Sequence, residues 1–171
     1  MNVVVDQPVP HAATPLDLDD VYRSSYTQMV RLAGLLVGNF QAGEEIAQDA
    51  FARLVERWNH VDNPPAYLRT TVVNLCRSRL RRAVVLRRNP PPPPATAPGP
   101  EESIATRVAE APLRAALGRL PRRQREVVVL RYFEELSDAE VAGALGISPS
   151  AVKTHLHRAL STLSNDLEAL R

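Results

Sequence analysis

An all-α fold is what this sequence predicts: two small helical domains joined by a flexible Pro-rich linker, the second ending in a helix-turn-helix. Three observations carry the prediction. Apolar residues recur at helical spacing in the long segments, as in Val152, Leu156, Ala159 and Leu163. Residues 90–94 are five consecutive prolines, which neither a helix nor a central strand accommodates. The 171 residues are 44% hydrophobic but only 5% aromatic, a balance that suits small Leu/Val/Ala cores. Split in two, each unit would bury only about 60% of its unfolded surface, so modest stability is expected.

Residues 1–15 carry Pro8, Pro10 and Pro15 with little periodicity and read as a flexible leader. The N-terminal domain is placed at residues 16–88. Its first helix is expected over 16–37, where Val21, Tyr26, Val30, Leu32, Leu36 and Val37 make a broad apolar surface and Asp17, Asp19 and Asp20 suit the positive end of the helix dipole. Residues 38–43 read as a break. The second helix is expected over 44–58, with Ala47, Phe51, Leu54, Val55 and Trp58 on one stripe. Glu45, Gln48, Asp49, Ala52 and Glu56 fall on its other surface, which by itself is an ordinary solvated acidic face. Residues 59–65 read as a loop turning on Asp62, Asn63, Pro64 and Pro65.

A third helix is expected over 66–88. Tyr67, Leu68, Val72, Leu75 and Leu80 are its apolar positions, and Arg69, Arg77, Arg79, Arg81, Arg82, Arg87 and Arg88 give it seven positive charges. No Asp or Glu stands between Asp62 and Glu101, so the segment carries 7 − 0 = +7 in a chain whose formal net charge is +2. Such a concentration implies a polyanionic partner. Tyr67 and Asn74 among the arginines suit stacking on bases and contacting their edges. Residues 89–108 form the linker; the five prolines would make a polyproline rod roughly 15 Å long at ~3.1 Å per residue.

The C-terminal domain is placed at 109–171. A short helix is expected over 112–120 with Leu113, Leu117 and Leu120 inward, then one opened by Pro121 and running through Tyr132. In the segment after it, Ser137 and Glu140 have the spacing of a capping box, and Val141 and Leu145 lie four apart on one face. Gly146 stands where the backbone must turn left-handed, Ile147 plugs the turn, Ser148 caps the next helix and Pro149 opens it. Cap, glycine turn, plug and cap arrive at the spacing of a DNA-binding helix-turn-helix. In the second of its helices Ser150, Thr154 and His157 face away from the apolar stripe, flanked by Lys153 and Arg158. Small polar groups edged by cations suit the major groove, where base edges are read between rows of phosphates.

Composition excludes other classes. One cysteine, Cys76, rules out an intramolecular disulfide and a multi-cysteine zinc site, and it reads as a buried helix cysteine rather than a reactive one. His155 and His157 lie about 200° apart on a helix and cannot share a metal, so no cofactor is expected. No P-loop, G-x-G-x-x-G or G-x-S-x-G is present, so an enzyme is not expected. No apolar run approaches 18 residues and the N-terminus lacks a signal pattern, which makes a cytoplasmic protein without membrane insertion the expectation.

The run LPRRQREVVVLRYFEELSDAEVAGALGISPSAVKTHLHRALSTL resembles the −35-binding domain of bacterial extracytoplasmic-function (ECF) sigma factors, of the sigma-70 superfamily. The runs AGEEIAQDAFARLVERW and NPPAYLRTTVVNLCRSRLRR resemble their core-binding and −10-binding helices. The resemblance covers residues 16–88 and 109–167. It implies a dissociable specificity subunit of RNA polymerase. Glu45, Gln48, Asp49, Ala52 and Glu56 would dock on the clamp helices of the largest polymerase subunit. Asn59, Asn63, Tyr67, Arg69, Asn74, Arg77 and Arg81 would bind the −10 element, the loop helping to capture a flipped base. Ser148, Ser150, Ala151, Lys153, Thr154, His157, Arg158 and Arg131 would serve the −35 element. An anti-sigma factor is a further partner the family commonly has. The sequence departs from the family at Ser78, where an acidic residue is usual in N-x-x-x-D-x-x-R, and at Ala151, where threonine is frequent. The alternative from the residues is a stand-alone helix-turn-helix regulator, which would need a receiver or ligand domain where residues 16–88 lie.

Overall fold

A computed structural model describes residues 17–88 and 111–168. The leader over 1–15, the proline run and the rest of the linker over 89–108, and the side chains of Arg87 and Arg88 lie outside the described residues. Among the described residues the chain forms α-helices α1 (Leu18–Val37), α2 (Phe40–Arg57), α3 (Pro64–Arg88), α4 (Ala111–Arg119), α5 (Arg122–Tyr132), α6 (Asp138–Leu145) and α7 (Pro149–Glu168), with a 3₁₀ turn at Trp58–His60. The all-α reading holds.

The expected break at 38–43 is instead one residue of left-handed turn followed by helix. Gly38 ends α1 at φ 79° with its N–H on Gly34 O, and Asn39 caps α2 by accepting from the Ala42 N–H at 3.1 Å. Gly43 therefore lies inside α2. A Cβ there would stand 2.7 Å from Val30 O and 2.8 Å from Gly34 N, so this glycine lets α1 and α2 cross at backbone contact. The local breaker signal was real, but tertiary packing used it for closeness. The expected loop over 59–65 is likewise shorter. Asn63 accepts from the Ala66 N–H at 3.1 Å, and α3 begins at Pro64, where a missing N–H costs nothing.

Helices α1, α2 and α3 pack on one another around Val21, Met29, Leu32, Leu35, Leu54, Leu68 and Val72, all almost fully buried. Val55, expected in the apolar stripe of α2, is 54% exposed; Leu54 takes the inward position beside Ala47, Ala50 and Phe51. In the C-terminal half α5 is enclosed by α6 and α7, and Val127, Val129, Leu130, Val141, Val152 and Ala159 are buried. The two halves do not keep separate cores. α1 packs on α5 and α3 on α6, and the buried residues of both form one continuous cluster.

Candidate nucleic-acid and polymerase interfaces

The helix-turn-helix is built as its local chemistry requires. Ser137 Oγ accepts from the Glu140 N–H at 3.3 Å while the Glu140 carboxylate accepts from the Ser137 N–H at 2.8 Å. The Ser137 hydroxyl also donates to that carboxylate at 2.7 Å, and this bond, with the one from the Ser137 N–H, stabilises the ionised form of Glu140 and lowers its pKa. Gly146 is left-handed at φ 63°, and the Ile147 N–H closes back on Ala142 O at 3.1 Å, completing the C-terminal cap of α6. Ser148 Oγ accepts from the Ala151 N–H at 3.2 Å and so caps α7.

Along α7, Val152 and Ala159 are buried, whereas Ser148, Ser150, Lys153, Thr154, His157 and Arg158 are exposed together and Ala151 is half-buried at their edge. This is the face expected to read duplex DNA. Thr154 Oγ1 donates to Ser150 O at 3.0 Å, so its lone pairs are what it presents outward. Arg131 is on α5, its side chain 40% exposed. It donates to Leu136 O at 3.0 Å and lies 3.4 Å from Asp138, tying α5 to the start of α6. The loop between α5 and α6 puts an acceptor in its reach that spacing does not reveal.

In the N-terminal half, Glu45, Gln48, Asp49, Ala52 and Glu56 are all exposed on one face of α2. Glu45 takes an ion pair with Arg79 of α3 at 2.7 Å, exposed on both sides and therefore weak. On α3, Tyr67, Asn74, Ser78 and Arg81 follow one face by helical periodicity, and Arg81 Nη2 donates to Ser78 Oγ at 3.4 Å where the family usually has an acid. The two faces meet. Asp49, Ala52 and Glu56 line a groove of about 560 Å³ together with Tyr67, Thr71 and Asn74, and Arg53 and Arg57 join them. A second groove of about 520 Å³ continues it along Asp49, Arg53, Asn74, Ser78 and Arg82. Thr71, Arg53 and Arg57 were not singled out by sequence reasoning, because what brings them to the groove is the α2–α3 packing. Asn59 is exposed in the 3₁₀ turn, and Asn63 spends its carbonyl on capping α3.

Arg69 and Arg77 leave this surface. Arg77 forms a fork on Glu126 of α5, Nε to Oε1 at 2.9 Å and Nη2 to Oε2 at 3.0 Å. Arg69 is close enough to Glu134 to favour its charged form. Both are therefore turned toward the C-terminal half rather than free at the −10 face, a correction that follows from the packing of α3 on α6. Glu126 and Glu134 themselves are buried, at 3% and 8% exposure, and sequence reasoning gave neither a role. The only local sign was Arg122 and Arg123, placed four and three residues before Glu126. Burial raises Glu134 to about 7, against the opposing pull of Arg69 and of the hydrogen bond donated by Gln28 at 3.0 Å. Cys76 is buried, and desolvation pushes its thiol up to about 12, so it is inert as a nucleophile. Among the described residues no group of His, Cys, Asp and Glu could hold a metal. None of the described helices is long and apolar enough to cross a membrane.

Residues 21–84 match Sigma-70 region 2, and residues 110–163 match Sigma-70, region 4. The RNA polymerase sigma-E factor of Streptomyces coelicolor is 33% identical over 157 residues, covering 90% of this chain and 88% of the relative. The chain belongs to the sigma-70 family, in its ECF branch. The ECF RNA polymerase sigma factor SigW of Bacillus subtilis is 27% identical over 169 residues, covering 90% of this chain and 89% of that one. In fold, the chain resembles the sigma factor RpoE of Bartonella quintana, solved with the anti-sigma factor NepR, at a TM-score of 0.72 and 20% identity over 91% of this chain and 99% of that one. It also resembles CnrH, solved with the cytosolic domain of CnrY, at a TM-score of 0.67 and 23% identity over 89% of this chain and 88% of that one. Region 2 fills the half that a stand-alone regulator would need for a receiver domain. The protein is thus an RNA polymerase sigma factor that takes part in promoter-directed initiation.

Proposed function

We propose that this sigma factor divides its work as its exposed faces divide. Residues 16–88 form the polymerase-binding and −10-binding unit, 89–108 the spanner, and 109–171 the −35-binding unit. The exposed α2 face of Glu45, Gln48, Asp49, Ala52 and Glu56 docks on the clamp helices of the largest polymerase subunit. The adjoining α3 face of Tyr67, Asn74 and Arg81, with Asn59 and Asn63 at its entrance, holds the −10 strand, Tyr67 by stacking and Asn74 by its amide. Ser148, Ser150, Ala151, Thr154 and His157 of α7 enter the −35 major groove, while Lys153 and Arg158 take phosphates.

The observation that supports this division best is the groove between α2 and α3. Its lining brings Asp49, Ala52 and Glu56 beside Tyr67, Thr71 and Asn74, which supports strand capture and polymerase binding as neighbours on one unit. Duplex melting is driven by binding energy, so the protein is a non-enzymatic factor and works in the cytoplasm where the polymerase is. The anti-sigma factor NepR named with RpoE supports an anti-sigma factor for this chain too.

Run-off transcription with bacterial core polymerase, with and without this protein, on a library of promoter fragments tests the reading. Initiation that depends on the protein and selects sequences at both elements is expected. Duplex binding by the protein alone, with no initiation, would overturn it.

A further inference from the structure

The groove between α2 and α3 does not end at Asn74. Its two parts share Asp49, Arg53 and Asn74, and the second continues along α3 past Ser78, Arg79 and Arg82. Arg82 stands eight residues beyond Asn74, about 12 Å along the helix at ~1.5 Å per residue. The two parts differ in charge. The first is balanced, with Arg53 and Arg57 against Asp49 and Glu56. The second sets Arg53, Arg79 and Arg82 against Asp49 alone.

These cations are free to take an anion. Arg53 and Arg82 are exposed, and among the described residues neither makes an ion pair or a hydrogen bond. Arg79 meets Glu45, but that pair is exposed on both sides and weak. Ser78 keeps the set uncompensated. Its position on α3 is three and four residues before Arg81 and Arg82, where a carboxylate would pair with both. The hydroxyl that stands there instead accepts from Arg81 at 3.4 Å and carries no charge. Asp49, the lining's one carboxylate among the described residues, lies on the face proposed for polymerase docking, so in the holoenzyme polymerase takes it. Exposed arginines bind an isolated phosphate weakly. They bind well a phosphate delivered by a strand already held nearby, because the second contact is then intramolecular.

We propose that this second groove is a phosphate site for the −10 strand: Arg53 and Arg82, uncompensated because residue 78 is a serine, take the backbone phosphate adjoining the nucleotide held at Asn74. The proposal rests on the assignment of α3 to the −10 element, and adds to it a residue of α2 and a contact beyond Asn74. Guanidinium suits the task, since its planar fork matches two phosphate oxygens. A phosphate contact positions the strand and adds affinity without choosing bases. Ser78 therefore sets how tightly the strand is held, not which sequence is selected.

The test uses holoenzyme assembled from the full chain and core polymerase, with a fluorescein-labelled single strand carrying the −10 sequence selected in run-off transcription. Anisotropy gives its affinity against salt concentration. Losing one phosphate contact removes about 0.7 from the slope of log affinity against log salt for a single strand, and the double variant Arg53→Gln/Arg82→Gln is expected to lose about that much. Ser78→Asp is expected to weaken binding about tenfold by pairing the arginines. Arg23→Gln, exposed on α1 and outside the groove lining, is expected to change nothing. A scan that makes one linkage at a time a neutral methylphosphonate locates the phosphate. One linkage is expected to cost the wild type about tenfold and the double variant nothing, the non-additivity of a direct contact. An unchanged slope in the double variant, wild-type affinity in Ser78→Asp, an equal loss in Arg23→Gln or the lack of such a linkage overturns the site. If inorganic phosphate raises the Tm of the wild type but not of Ser78→Asp, and no linkage stands out, the groove takes a free phosphorylated ligand and the strand site is overturned. A parent holoenzyme that binds the strand and initiates beside any of these failures leaves the assignment of α3 standing. One that does not bind the strand removes both.

Discussion

Replacing Gly43 by alanine is expected to destabilise the protein, although the same change stabilises most exposed helices. Alanine gains about 1 kcal/mol of helix propensity over glycine. At Gly43 the added Cβ would stand 2.7 Å from Val30 O, 2.8 Å from Gly34 N and 3.0 Å from Gly34 Cα. All three obstacles are backbone atoms of α1, so no side chain can swing aside, and α1 and α2 must part by about 0.7 Å to reach ordinary contact. Overpacking of that kind costs roughly 1–3 kcal/mol, and a backbone obstacle belongs at the upper end. The net loss is about 1–2 kcal/mol, a fall in Tm of about 2–8 °C for a chain of this size. Gly143 is the internal control. It is exposed on α6, and a Cβ there meets nothing within 4 Å. Gly143→Ala is expected to raise Tm by about 1–4 °C. Thermal unfolding followed by circular dichroism compares the two. A Gly43→Ala protein stabilised as much as Gly143→Ala would refute the close α1–α2 crossing and the account of why α2 starts at Phe40.

Other outcomes follow from the faces and the buried acids. Asp49→Arg is expected to abolish binding to core polymerase while leaving the circular dichroism spectrum and Tm near wild type, since Asp49 is exposed; retained affinity would move the docking face off α2. Lys153→Ala and Arg158→Ala are each expected to weaken binding of polymerase holoenzyme to promoter DNA at all sequences. Each is also expected to reduce the slope of log affinity against log salt by about 1; an unchanged slope removes that residue from the phosphate contacts. The pKa of Glu134 is raised from 4.5 to about 7 in the folded chain, so folding favours its protonated form. Its contribution to stability is complete below about 4.5 and is lost as pH rises through about 7. Denaturant unfolding is thus expected to show Glu134→Gln with a flatter dependence between those values than wild type, and equal slopes would place Glu134 in water.

What the sequence determined by itself is what depends on neighbours within about four residues. The capping box of Ser137 and Glu140, the left-handed Gly146, the Ser148 cap and the outward face of α7 are all set by local hydrogen bonds and by the 3.6-residue period, so they could be read without coordinates. The exposed acid face of α2 was legible for the same reason. The tertiary structure alone decided what depends on segments distant in the chain. Gly43 became part of a helix because α1 lies against it, and Val55 turned outward because the crossing chose Leu54. Gln28 met Glu134 across 106 residues, and Arg77 met Glu126 across 49. A guanidinium carries no local sign of which anion will reach it. The seven arginines of α3 therefore looked alike in sequence, and only packing separated Arg77, held on a buried carboxylate, from Arg81, left exposed at the surface.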